Sequence, residues 1–509
     1  MESATRPAST NDVAIERIPH LVDGRALTGA SGRAGPVFDP ARGVQTGQVP
    51  LASVEEVDAA VASARAAFEE WREVSLARRT KLMYAFRNLV AARADEIAAR
   101  ITAEHGKVLS DAAGEVARGL ENIEFACGLA EHLKGRYNEQ ASTGVDVYTV
   151  RRPLGVVAGI TPFNFPVMVP LWMLPNAVAC GNTFILKPSE RDPSAPTLLV
   201  ELFHEAAFPP GVVNLVHGDR VAVDRLLEHP DVKAVSFVGS TPIARHVYET
   251  ASSHGKRVQA LGGAKNHMVV LPDADIDLAA DSAVSAAYGS AGERCMAISV
   301  AVAVGAAADP LVQAIASRMK ALRIGPGTDP ASEMGPLVTR EHRDRVAGYV
   351  ETGASEGATV VVDGRESEFD GDGFFLGVTL LDHVTPDMVV YRDEIFGPVL
   401  CVVRVDSYHE AVRILRDNQW GNGAAIFTRD GGAARRFQED ADAGMVGINV
   451  PIPVPVGYHS FGGWKDSAFG DTTVYGPEGI HFYTRPKVMT VRWPDPSRSR
   501  VDLGFPTNR

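Results

Sequence analysis

Four short, uniformly apolar runs punctuate the middle of this 509-residue chain, at 155–161, 183–187, 212–217 and 234–239, with helix-compatible segments between them. A strand without polar alternation must be buried on both faces, and such strands separated by helices specify a parallel α/β sheet. Ligands of these sheets gather at the carboxyl ends of the strands. A second alternation of strands and helices begins near His267 and continues to about Phe461. With 45% apolar residues the chain is too long for one ordinary core and rich enough for two or more. Upstream, residues 53–137 read as helices: Ser53 with Glu56 forms a capping box, and Val57, Val61, Ala64 and Phe68 follow at helical spacing. Around 145–155, Val145, Val147 and Thr149 alternate with Asp146, Tyr148 and Val150, as an extended arm would. That arm and an alternating segment at 487–493 could pair with other strands, including those of a second subunit.

A net charge of -13 argues against nucleic acid or an anionic membrane as the main partner, because both require a basic face. No apolar run approaches the ~20 residues of a membrane-spanning helix. Residues 1–20 are polar and of mixed charge, unlike a secretory signal, so a soluble, cytoplasmic enzyme for a small-molecule substrate is expected. The cysteines, at 127, 180, 295 and 401, lack the pair spacing of zinc or redox motifs; no metal site is expected, and a reducing compartment fits.

Cys295 stands in Gly292-Glu293-Arg294-Cys295-Met296-Ala297, where small residues and a flanking guanidinium suit a thiolate that attacks an electrophile. The strand ending at Val238 runs into Gly239-Ser240-Thr241-Pro242, a helix start able to receive a phosphate. Ile185-Leu186-Lys187-Pro188-Ser189-Glu190 offers a cation and a carboxylate for the hydroxyls of a ribose. In Thr161-Pro162-Phe163-Asn164-Phe165-Pro166, Asn164 can supply a rigid oxyanion donor. Glu394-Ile395-Phe396-Gly397-Pro398 joins a carboxylate to an aromatic at a turn. The Gly-x-Gly-x-x-Gly dinucleotide fingerprint is missing, so a cofactor would be held differently.

Together, in this order and approximate spacing, these motifs resemble the aldehyde dehydrogenase superfamily from about residue 20 to 495. The resemblance implies an α/β, aldehyde dehydrogenase-like fold: a Rossmann-type NAD-binding domain (1–142 and 161–262), an α/β catalytic domain (263–470) and a small oligomerisation arm (143–160 and 484–500) in a homodimer or homotetramer. It makes Cys295 the nucleophile, with Asn164 and the Cys295 backbone N–H as the oxyanion hole. NAD is implied to lie along Thr161, Phe163, Lys187, Glu190, Arg191, Gly239, Ser240, Gly262, Glu394 and Phe396.

One departure bears on the product. Hydrolytic members of the family carry a water-activating Glu in a Leu-Glu-Leu-Gly-Gly-Lys stretch. Here it reads Gln259-Ala260-Leu261-Gly262-Gly263-Ala264-Lys265-Asn266-His267, and no carboxylate lies between Glu249 and Asp273. A thiol such as coenzyme A needs no such base, its pKa being far closer to neutrality than that of water. This stretch, 292–297 and Asn449-Val450-Pro451-Ile452-Pro453-Val454-Pro455 look like the methylmalonate-semialdehyde dehydrogenase branch, which implies CoA-acylating oxidation of methylmalonate or malonate semialdehyde with loss of carbon dioxide. Arg294, adjacent to the thiol, and Arg118, on an early helix, are then expected to bind the substrate carboxylate. The alternatives are a hydrolytic NAD-dependent dehydrogenase recruiting another base, Glu293 being nearest in sequence, a non-catalytic protein on the same fold, or a cofactor-free thiol hydrolase. The last is disfavoured because no motif places a histidine beside Cys295.

Overall fold

In the computed structural model, residues 15–493 and Ser497 are described. The signal-free start expected at 1–20 therefore falls largely outside the described residues, as does most of 494–500 at the end of the expected arm.

All four apolar runs form strands, Val156–Ile160, Thr183–Lys187, Val213–Leu215 and Val232–Val238, joined by a fifth, Arg257–Leu261. They pair in parallel. Across the sheet the order is 257–261, 232–238, 156–160, 183–187, 213–215, extended by short strands at both edges to eight. The chain thus runs outward from 156–160 in one direction, then crosses over and continues from 232–238 in the other. Strand order reverses between those two neighbours, and a crevice opens at the carboxyl ends of strands on either side of such a switch. Thr161 and Gly239 are the residues that leave them.

A seven-stranded sheet follows, in the order 359–362, 379–382, 399–405, 298–304, 266–270, 423–427, 445–448. All its pairings are parallel except that of 359–362. Its strand starts bear the second half of the site: Asn266 opens Asn266–Val270, Asn422 directly precedes Gly423–Phe427, and Cys295 lies three residues ahead of Ile298–Val304. The carboxyl ends of one sheet therefore meet the amino ends of the other.

The expected arm does not hold together as 143–160. Val145–Pro153 lies in a separate three-stranded sheet with Thr484–Arg492 and Tyr137–Ser142, whereas 156–160 is a central, fully buried strand of the first sheet. Composition explains the division: Val156-Val157-Ala158-Gly159-Ile160 is apolar throughout, while 145–153 alternates and carries two arginines. Ala468–Phe469, expected in the catalytic domain, pairs with Leu261 and Ala260 at the edge of the first sheet. The early helices begin at Val54–Trp71, whose capping box is made in full by Ser53 and Glu56. Among the described residues no helix is long and apolar enough to cross a membrane.

Candidate active site

A cleft of about 940 Å³ opens at the switch point. Its lining includes Thr161, Phe163, Asn164, Lys187, Glu190, Arg191, Gly239, Ser240, Gly262, Cys295, Glu394 and Phe396, residues drawn from six separate stretches of sequence. Arg118 and Arg294 are not part of that lining.

The loop after Val156–Ile160 is tethered from below. Thr161 N–H donates to Lys187 O at 3.1 Å, continuing the strand pairing by one residue. Buried Lys107 donates from Nζ to Asn164 O at 2.7 Å and to Glu115 Oε2 at 2.9 Å. Glu115 Oε1 in turn accepts from Val167 N–H and Met168 N–H, at the start of helix Met168–Ala179. Asn164, 3% exposed, is thus fixed through its backbone while its amide borders the cleft. A donor held this way meets the rigidity requirement of an oxyanion hole. Lys107 and Glu115 carry no local motif, and only the fold brings them to Asn164.

Along the rest of the cleft, Lys187 Nζ lies 3.3 Å from Glu190 Oε2. Ser240 caps helix Thr241–Ser253 by backbone geometry, and its hydroxyl makes no capping bond, which leaves it available to a ligand. The Arg191 guanidinium stands 5.0 Å over the Phe163 ring, and Phe396 meets that ring edge-on at 5.9 Å. Gly262 and Gly263 allow close approach: a Cβ on Gly262 would lie 2.8 Å from Asp466 O, and one on Gly263 would lie 2.3 Å from Glu394 Oε2. Glu394 rests on this stretch, accepting from Ala264 N–H at 2.8 Å. These groups match the parts of a dinucleotide: a helix start for phosphate, a cation and carboxylates for ribose hydroxyls, and flat faces for rings.

At the cleft floor, Ser290, Ala291 and Gly292 all have positive φ, 53°, 52° and 74°. For the serine and alanine this costs about 1–2 kcal/mol each, and such segments persist only where the surroundings over-determine them. Gly292 is required, since a Cβ there would fall 2.2 Å from Gly397 O. The turn presents Cys295, whose carbonyl accepts from the side-chain amides of Asn266 and Asn422. Burial, and next the Glu394 carboxylate, push the Cys295 thiol up to about 12. Burial likewise raises Glu394 to about 7.

The two arginines are engaged elsewhere. Arg294 pairs with Asp111 and lies against Gly289, lining one hollow with Asp281 and Arg318 and a second, small cavity with Cys295 and Glu394. Arg118 binds both Glu121 oxygens, at 3.0 and 2.9 Å, and Val454 O at 3.3 Å, which ties helix Leu109–Cys127 to the Pro-rich loop. Cys295, Phe165, Ile452 and Val454 pack against one apolar cluster that contains Trp172, Phe461 and Tyr475. Glu293 does not line the cleft, although it packs against His342, which does. It is fully buried, accepts from Val338 N–H, lies 3.5 Å from His342 and 3.8 Å from His105, and burial raises it to about 8. Glu394, in contrast, shares two cavities with Cys295. Among the described residues no group of three or more His, Cys, Asp or Glu is placed to hold a metal ion.

The sequence matches the aldehyde dehydrogenase family over residues 27–489. It is 54% identical to a malonate-semialdehyde dehydrogenase of Pseudomonas aeruginosa, covering 96% of this chain and 99% of the relative, and 49% identical to malonate-semialdehyde dehydrogenase 3 of Geobacillus kaustophilus, covering 94% and 99%. Among solved structures, methylmalonate-semialdehyde dehydrogenase from Oceanimonas doudoroffii superposes with a TM-score of 0.93 at 52% identity, covering 95% of this chain and 99% of that one. A candidate methylmalonate-semialdehyde dehydrogenase from Sinorhizobium meliloti, solved with NAD, gives 0.94 at 51% identity and the same coverage.

Proposed function

The chain belongs to the aldehyde dehydrogenase family, and from that premise we propose that it oxidises malonate semialdehyde and methylmalonate semialdehyde with NAD and coenzyme A. The products are carbon dioxide and acetyl-CoA or propionyl-CoA. One observation carries the acylating outcome: Cys295 shares a cleft with Asn164, while the strand Arg257–Leu261, where hydrolytic relatives place their water-activating Glu, has Ala260 and no carboxylate.

The Cys295 sulfur adds to the aldehyde carbon, and negative charge on the former carbonyl oxygen is met by the Asn164 amide and the Cys295 backbone N–H. Thr161, Phe163, Lys187, Glu190, Arg191, Gly239, Ser240, Gly262, Glu394 and Phe396 would hold NAD, which when bound would provide the acceptor for the hydride that leaves this carbon. A thioester on Cys295 remains, with the substrate carboxylate β to its carbonyl. Carbon dioxide departs as its bonding electrons pass toward that carbonyl, and a proton then joins the α carbon. The coenzyme A thiol attacks the thioester and expels the Cys295 thiolate. Arg118 and Arg294 hold the carboxylate before it is lost, each exchanging a protein carboxylate, Glu121 or Asp111, for that of the substrate. Product identification with NAD and either semialdehyde tests this reading: acyl-CoA formed only with coenzyme A supports it, and free acid as the sole product in its presence overturns it.

A hydrolytic route would have to recruit Glu394, since Glu293 faces the His105 and His342 side. Glu394 is already committed to Ala264 N–H and lies where the dinucleotide would rest. The enzyme acts in the cytoplasm as a homodimer or homotetramer joined through the three-stranded sheet, whose strand Thr484–Arg492 exposes Val488 at an edge. Light scattering checks the assembly, and a monomer would contradict it.

A further inference from the structure

Two asparagines converge on the peptide group of the nucleophile from different parts of the second sheet. Asn266 Nδ2 donates to Cys295 O and to Ala297 O, both at 2.9 Å, while its Oδ1 accepts from Gly423 N–H at 3.0 Å. Asn422 Nδ2 donates to the same Cys295 O at 3.2 Å and contacts Met296 Sδ at 3.0 Å. Both residues are buried, 2% and 5% exposed. Gly423 leaves room for the arrangement, because a Cβ there would fall 2.5 Å from Met296 Cε.

A planar trans peptide unit points its C=O and N–H in opposite directions. Fixing the Cys295 carbonyl therefore fixes the direction of Met296 N–H. Two donors on one carbonyl also polarise the unit and strengthen its N–H as a donor. Such anchoring is what the turn upstream requires, since Ser290, Ala291 and Gly292 hold left-handed conformations immediately before the nucleophile.

We propose that Asn266 and Asn422 are positioning residues for the nucleophile: their amides clamp the Cys295 carbonyl and, through the Cys295–Met296 peptide unit, set how backbone N–H groups meet the sulfur. The backbone N–H groups of Cys295 and Met296 both favour the thiolate, against the opposing effects of burial and Glu394. This inference rests on Cys295 being the reacting thiol.

Asn422→Leu keeps the volume and removes the donor. The pH profile of Cys295 alkylation by iodoacetamide, measured without NAD or substrate, should move upward by about half a pH unit or more, the direction expected when hydrogen bonds to a charged form are weakened. In steady state, kcat should fall about tenfold with KM for NAD within about twofold of wild type, as for an interaction made mainly in the transition state. A profile superimposable on that of wild type overturns the clamp, whatever happens to thermal stability. If the leucine variant fails to fold, Asn422→Ala, smaller and equally without a donor, is read in the same way. Dehydrogenase activity lost in step with Cys295 alkylation keeps the thiol reading intact in either case. Activity retained on fully alkylated enzyme overturns that reading and the clamp together.

Discussion

Glu394 sets the electrostatic problem at the thiol. Burial and this carboxylate together push Cys295 up to about 12, and Glu394, itself raised to about 7, is anionic at the pH where the thiol must ionise. Neutralising it by Glu394→Gln should lower the alkylation midpoint of Cys295 by about one pH unit, a typical effect of one nearby charge. The Ala264 N–H retains an acceptor in this variant, so the backbone stays in place. An unchanged midpoint would show that the carboxylate does not act on the sulfur. Arg118 can be tested by substrate choice. Charge-assisted hydrogen bonds contribute about 1.5–3 kcal/mol, so Arg118→Leu should raise KM for malonate semialdehyde roughly 10- to 100-fold and leave KM for propanal, which has no carboxylate, nearly unchanged. An equal effect on both aldehydes would make Arg118 a structural tie between its helix and the Pro-rich loop.

At the scale of elements, the loop carrying Asn164 depends on a buried ion pair that belongs to no motif. Lys107→Met leaves Glu115 charged and unpaired, and breaking a buried pair costs about 3–5 kcal/mol. A marked fall in melting temperature is expected, partly recovered in Lys107→Met combined with Glu115→Gln, which removes the stranded charge and keeps an acceptor for Val167 and Met168. No recovery in the double variant would contradict the pairing. This example also marks what the sequence can and cannot disclose. The Ser53 and Glu56 box and the apolar strands are written in neighbouring residues, whose spacing already determines the local geometry. Lys107 meets Asn164 across 57 positions, Arg294 meets Asp111 across 183, and Asn266 meets Gly423 N–H across 157. Residue type gave no reason to pair them. Glu293 shows the converse, since adjacency to Arg294 and Cys295 suggested a candidate base, yet its side chain is buried against His105 and His342 and does not line the cleft.

For the whole molecule, function follows from the way two parallel sheets are opposed. The first supplies a crevice at its strand-order reversal; the second delivers the thiol and its two asparagines from strand starts. Neither half contains a complete site. The apolar run at 155–161 marked a strand of the first sheet, whereas the domain bounds implied by the resemblance put 156–160 in the arm; the structure places it at the centre of the first sheet. On the proposed mechanism the acyl group on Cys295 waits for a thiol because no committed base activates water. Single-turnover mixing of enzyme, NAD and malonate semialdehyde without coenzyme A, followed by NADH absorbance and intact protein mass, tests it directly. A burst of about one NADH per active site, an acetyl group retained on Cys295, and renewed turnover on adding coenzyme A are expected. Linear NADH production at the full rate without coenzyme A, with unmodified enzyme and free acid, would contradict it.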